Sequence, residues 1–351
     1  MKTNPKLKLL AFRGSLVLRR VRLFFFVFCL LGVVPAFGFI KGFNQAWFKT
    51  SYSAQWLDGY YDKSYAESIL ILNKNSGSTI VRMWLYEGAQ LNQFTTNKRS
   101  GKLILRPDFI LNLKHFLGLA RKHKIKVNLT FLDGNAFRGI EQNPELMNFW
   151  SNIFNDHNGA LKSFYESAIA PIYKLIQDEF SDVVTQIDLV NEVNAIVEYR
   201  LFKDHVISMP KFLCTLATKS PSPITASLGW ANAEELFFSG FLANSCLNFY
   251  DLHFYNDTGT VGRCEDYKKL SKQGVRLQLG EFGQVTTSLS DELQSEVTAS
   301  FLKTAKSCGF MSALAWRLVE WRGGGDPEER FSYVNPTGPR KAYYVFRDFS
   351  R

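Results

Sequence analysis

From Gly38 onward, short apolar runs rich in β-branched and aromatic residues alternate with longer segments whose apolar positions recur at helical spacing. The runs Gly38–Asn44, Thr79–Leu85, Lys124–Phe131, Val184–Val190, Ile224–Leu228, Phe249–Phe254, Val275–Gly280 and Ser312–Trp316 predict eight strands. Between them Phe109, Leu113, Phe116 and Ala120 line one face of a predicted helix, and Phe164, Ala168, Ile172 and Leu175 line another. A third carries Leu293, Val297, Phe301 and Ala305, with Ser288 or Ser290 placed to cap it. Strands separated by helices pair in parallel through crossovers, so the class is α/β. The length and the count of eight predict a closed (β/α)8 TIM barrel. An open doubly wound sheet is the alternative, but no GxGxxG follows the first strand to give it a nucleotide site. No low-complexity stretch or long linker interrupts the pattern, so residues 37–351 are expected to form one domain.

Composition agrees with a large core: 46% of the 351 residues are hydrophobic and 15% aromatic. The formal charge of +10 suggests an anionic partner until its distribution is read. Residues 1–36 hold seven basic and no acidic residues, which leaves +3 for the remainder, so no nucleic-acid partner is indicated. Those basic residues precede the apolar run Leu23–Val34, and Val34 and Ala36 stand at the −3 and −1 places of a cleavage site. Residues 1–36 therefore read as a secretory signal. The competing reading is an uncleaved membrane anchor over residues 23–40, which has the apolar length of a short span. Either way the domain is expected to be secreted, periplasmic or otherwise extracytoplasmic. Outside the leader stand Cys214, Cys246, Cys264 and Cys308, which can pair in three ways or stay as buried thiols; no CxxC spacing suggests zinc.

The chemistry lies at the predicted strand ends, which converge on one face of such a barrel. The second strand buries Arg82, the fourth ends on Asn191 and Glu192, the sixth carries His253 and Tyr255, the seventh leads to Glu281, and the eighth offers Trp316. Taken singly, each has an ordinary structural explanation: a helix-start carboxylate, an ion-pair partner, a core histidine, a packed indole. Jointly, they place two carboxylates from opposite walls across one mouth. That suits glycoside cleavage, in which one carboxyl donates a proton to the leaving oxygen and the other stays ionised. Arg82 and Tyr255 are expected to keep Glu281 anionic, and an indole such as Trp316 suits the apolar face of a sugar ring.

NE after strand four, HxY on strand six, GEFG at strand seven and a Trp on strand eight together resemble the retaining β-glycosidases of clan A, closest to glycoside hydrolase family 5. The resemblance extends from KGFN at the first strand to the end of the chain. It implies Glu192 as acid/base, Glu281 as nucleophile, Asn191 at the sugar 2-hydroxyl, Arg82 and Tyr255 supporting Glu281, and His253 and Trp316 lining the central subsite. It also implies two carboxyl groups about 5–5.5 Å apart. Many members of the family carry a histidine at the end of strand three, where this chain has Asp133 and Asn135. VRMWLYEG with NLTFLD leans towards mannanase-like branches acting on β-linked mannan or glucan.

A substrate oligo- or polysaccharide is thus the expected partner, for a monomer with no cofactor and no metal. Three other readings use the same residues: a glycan-binding barrel without turnover, a transglycosylase, and a metal-dependent hydrolase built on Asp251, His253, Glu192 and Glu281. The last wants several histidines at the strand ends, whereas His115, His123, His157 and His205 fall in predicted helices or loops. Trp84, Trp230 and Trp321 are candidates for flanking subsites, and the glycine-rich loop 322–335 is placed to border the cleft.

Overall fold

A computed structural model describes residues 38–48, 54–86, 90–96, 102–198, 209–229, 232–284, 290–319 and 330–350. The leader, Ser288, Trp230, Trp321 and residues 322–329 of the glycine-rich loop lie outside the described residues. Among the described residues no helix is long and apolar enough to cross a membrane.

Eight parallel strands form the barrel: β1 (Ile40–Asn44), β2 (Ile80–Trp84), β3 (Lys126–Asp133), β4 (Val184–Asn191), β5, β6 (Tyr250–Tyr255), β7 (Leu277–Gly283) and β8 (Ser312–Ala315). Strand β5 is broken into Ile224–Thr225 and Ser227–Leu228. The first half pairs with β4 and the second with β6, so the circle closes through this one short strand. The remaining order, β4-β3-β2-β1-β8-β7-β6, follows the chain around the barrel. Each predicted strand is present within about three residues of its expected ends; the break at Ala226 was not anticipated, because PITASLG reads as an unbroken run.

The helices follow from local chemistry. Asp62 caps Lys63–Asn75 by accepting from the Ser64 and Tyr65 amides, both at 3.0 Å. Pro107 opens the helix Pro107–His123, which buries Phe109, Leu113, Phe116 and Ala120 as their spacing predicts. Ser290 is the residue that caps Asp291–Ser307, its Oγ accepting from the Leu293 amide at 3.1 Å. The stretch Ala160–Phe180, predicted from Phe164, Ala168, Ile172 and Leu175, is helical but contains π-helical turns at Tyr165–Ile169 and Ile176–Phe180. At the N-terminal end of the barrel, Lys41 is buried and its ammonium donates to the carbonyls of Phe346, Arg347 and Phe349. It thereby ties the terminal helix Lys341–Asp348 to β1, a cation where the helix dipole is negative.

All four cysteines outside the leader pair: Cys214 with Cys246, and Cys264 with Cys308. The first bridge joins the chain on either side of β5. The second joins the helix Cys264–Lys272 to the residue that ends Asp291–Ser307.

Candidate active site

Strand β4 stops at Asn191, and the next residue, Glu192, takes the left-handed backbone conformation with φ 46°. A side chain there costs about 1 kcal/mol of strain and is held by its neighbours. The Glu192 amide donates to Ser227 Oγ at 2.8 Å, so the closing strand β5 fixes the turn. Glycines make room for it. A Cβ on Gly134 would lie 2.3 Å from the Glu192 carbonyl oxygen, and one on Gly229 would lie 2.0 Å from its Oε1. The Glu192 carboxyl, buried to 8% exposure, accepts from Asn135 Nδ2 at 2.6 Å through Oε2 and meets His253 Nδ1 at 3.1 Å through Oε1.

Glu281 lies within β7 rather than past its end. The pairing of β7 with β6 slips between Leu279 and Glu281: Gln278 sits opposite Asp251, yet Glu281 sits opposite His253. Gly280 is the extra residue of this bulge, and it reverses the in-out alternation so that both Gln278 and Glu281 face the barrel interior. No other residue fits, since a Cβ there would lie 1.9 Å from Asp251 Oδ1. Glu281 Oε1 accepts from Arg82 Nη1 at 2.6 Å, and Oε2 from the Tyr255 hydroxyl at 2.5 Å.

Arg82 is fully buried and holds four acceptors at once. Nη1 also donates to Asn44 Oδ1 at 2.9 Å, while Nη2 donates to Asp188 Oδ2 at 2.5 Å and Asn191 Oδ1 at 2.8 Å. Burial disfavours the guanidinium charge, but Asp188, Glu281 and Asp251 outweigh it, so Arg82 stays a cation. Asn191 in turn donates through Nδ2 to Asp133 Oδ1 at 2.9 Å, which uses one of its two amide N–H groups.

A cavity of about 940 Å³ opens over these groups and is lined by both glutamates, Asn191, His253, Tyr255 and Trp316. Six of the seven residues singled out from the sequence line it, and Arg82 lies directly beneath. Trp316 is buried against Trp47 and Trp84, with Tyr255 and Phe331 packed on the cluster. Its peptide to Arg317 is cis. Trp84 is therefore both core and cavity wall.

Burial pushes the Glu281 carboxyl up from the ordinary range, and Glu192 adds to the rise; His253, Arg82 and Tyr255 pull the other way without cancelling it. Arg82 and Tyr255 thus act on Glu281 in the expected direction, towards the anion, against the larger effect of desolvation under the barrel mouth. Burial also pulls the His253 imidazole down to about 4, leaving it neutral near pH 7. Asp251, deeper in the barrel and bonded to Gln278 Nε2 at 2.7 Å, is pushed well up by burial.

Glu192, His253 and Glu281 each offer a donor atom within 4.8 Å of the other two, a set whose types suit a divalent cation. Here both Glu281 oxygens already accept hydrogen bonds, one from a guanidinium whose charge opposes a second cation. His253 Nδ1 lies between the two carboxylates, 3.1 Å from Glu192 Oε1 and 3.5 Å from Glu281 Oε2. The cluster is a hydrogen-bonded network, and Asp251 is bonded instead to Gln278.

Several functional positions went unassigned in the sequence. Asp188 and Asn44 complete the cradle of Arg82, and Trp47 joins the indole cluster. Asp188 carried a readable signal: an acid inside an apolar run must find a buried partner, and Arg82 two strands away is the same kind of residue. Gly229 and Ser227 carried none, since their roles exist only once β5 lies beside Glu192.

No protein-family model matches the chain, and no curated protein matches it. Solved structures do. The chain is similar to a β-mannanase from the blue mussel Mytilus edulis at 17% identity, covering 89% of this chain and 92% of that one with a TM-score of 0.58. An exo-β-1,4-mannosidase from Opitutaceae bacterium strain TAV5 aligns at 15% identity, 88% of this chain and 58% of that one, TM-score 0.66. A GH5_18 variant from Streptomyces cattleya in complex with Manβ1-4GlcNAc aligns at 13% identity, 89% and 79%, TM-score 0.68. At such identities the likeness is one of fold, and the fold is the (β/α)8 barrel.

Proposed function

We propose that the protein is a retaining glycoside hydrolase of the family 5 type, acting on β-linked glycans of the mannan or glucan kind. The observation that carries the reading is the opposed pair: an oxygen of Glu192 lies within 4.8 Å of one of Glu281, in the lining of a cavity of about 940 Å³. That spacing suits a direct attack by one carboxylate and leaves little space for a water between the two, as inversion requires. Glu281 attacks the anomeric carbon as the glycosidic bond breaks, and Glu192 gives its proton to the leaving oxygen. Water then adds to the same carbon, its proton passing to Glu192, and Glu281 departs with configuration retained.

Arg82 and Tyr255 orient Glu281 and stabilise its carboxylate. Asn191 reaches the 2-hydroxyl with its second amide N–H, His253 offers Nε2, which has no partner among the described residues, and Trp316 supplies the apolar platform. The three solved proteins named above support the mannan side of the substrate class. Residues 37–351 act as one catalytic unit, and two disulfides support a site outside the reducing cytoplasm.

The test is reducing-end release from β-mannan, β-glucan and xylan by residues 37–351, with Glu281→Ala and Glu192→Ala alongside. Release by the parent and a loss of at least about a thousandfold in Glu281→Ala is expected. Release that survives Glu281→Ala, or that stops with a chelator, overturns the mechanism.

A further inference from the structure

The turn after β3, where this sequence departs from the resembled family, folds directly onto Glu192. Asp133 and Asn191 are register partners on β3 and β4, so the chain just beyond each lies side by side. Asp133 caps the following 3-10 turn, Gly134–Ile140, by accepting from the Asn135 amide at 3.1 Å, and the same oxygen takes Asn191 Nδ2. Gly134 lets the two backbones touch. Asn135 is thereby delivered to the Glu192 carboxyl, with its Nδ2 2.6 Å from Oε2.

An amide nitrogen only donates, so Oε2 is an acceptor at this contact whether or not Glu192 carries a proton. A proton on Oε1, the oxygen that faces His253, leaves this bond intact. We propose that Asn135 is a positioning residue, which orients the Glu192 carboxyl through Oε2 and favours its ionised form. The inference rests on Glu192 being the acid/base of the reaction above.

Glu192 is faced by His253 from β6, by Glu281 from β7 with Arg82 and Tyr255 behind it, by Asp133 from β3 through Asn191, and by Arg138 and Glu234 on the cavity walls. Replacing Asn135 leaves these in place and removes a donor that favours the ionised carboxyl. Glu192 then keeps its proton to higher pH.

The experiment is a carbon-13 NMR titration of glutamate-labelled protein, the Glu192 carboxyl being assigned by its loss in Glu192→Gln, with pH profiles of kcat/KM on aryl glycosides. Asn135→Ala is expected to raise the Glu192 midpoint by about one pH unit, and Asn135→Asp, which keeps the volume and adds a charge, by more. The alkaline limb of kcat/KM moves up with it, and glycosides with poor leaving groups lose about tenfold more activity than those with good ones. An unmoved or lowered midpoint in both variants, folded by circular dichroism, overturns the role of Asn135. A raised midpoint in a protein that cleaves no glycan keeps the bond and sinks the hydrolase reading instead, so the two failures are separable.

Discussion

The residue that does most for the site is one that contacts no solvent. Arg82 binds Glu281 and Asp188 from one guanidinium, and a buried cation removed from two buried anions leaves both uncompensated. Arg82→Met should destabilise the fold by about 3–5 kcal/mol in urea titrations, beyond any effect on turnover. Gly229→Ala makes the opposite case. Its methyl group displaces the Glu192 carboxyl, so activity should fall at least about a hundredfold while the unfolding midpoint barely moves. Comparable losses of both in this variant would show that Gly229 serves the core and not the carboxyl. At this scale the sequence was readable where chemistry is local. Glu192, Glu281 and His253 stand out as polar residues within or at the end of apolar runs, whereas Gly229 matters only through a neighbour 37 places earlier in the chain.

Elements were legible to the degree that their periodicity is their own. The helix Pro107–His123 buries Phe109, Leu113, Phe116 and Ala120 as its apolar spacing predicts, because one face meets the barrel and the other meets water, although Leu111 is exposed and Asn112 is buried. The bulge at Gly280 was not legible. A bulge is a relation between two strands, and GEFG alone cannot say whether Glu281 points in or out. The terminal helix yields an element-scale prediction. Lys41→Met keeps the packing against Phe346 but gives up three carbonyl contacts, so stability should drop by about 1–3 kcal/mol. Limited proteolysis should then cut first near residue 340; an unchanged digestion pattern would show that apolar packing alone holds the helix.

For the whole molecule, acid is the telling variable. His253 titrates at about 4 in the fold and near 6.5 when unfolded, so the unfolded chain binds the extra proton between those values. Stability is therefore full above about pH 6.5 and is lost as pH falls towards 4, by up to roughly 3 kcal/mol from this group. Glu281 acts in the other sense, since its raised folded value favours the protonated native state, and it softens the loss. Thermal unfolding of His253→Asn should show a shallower decline between pH 6.5 and 4 than the parent; parallel curves would remove His253 from the account. The closing strand has a consequence of its own. Two dipeptides complete the circle, the Cys214–Cys246 bridge spans them, and Ser227 in the second anchors Glu192. A ring with one thin link breathes at that link, so amide hydrogen exchange should be fastest among the barrel strands at residues 224–228. Thiol reductants should then act as inhibitors before they act as denaturants.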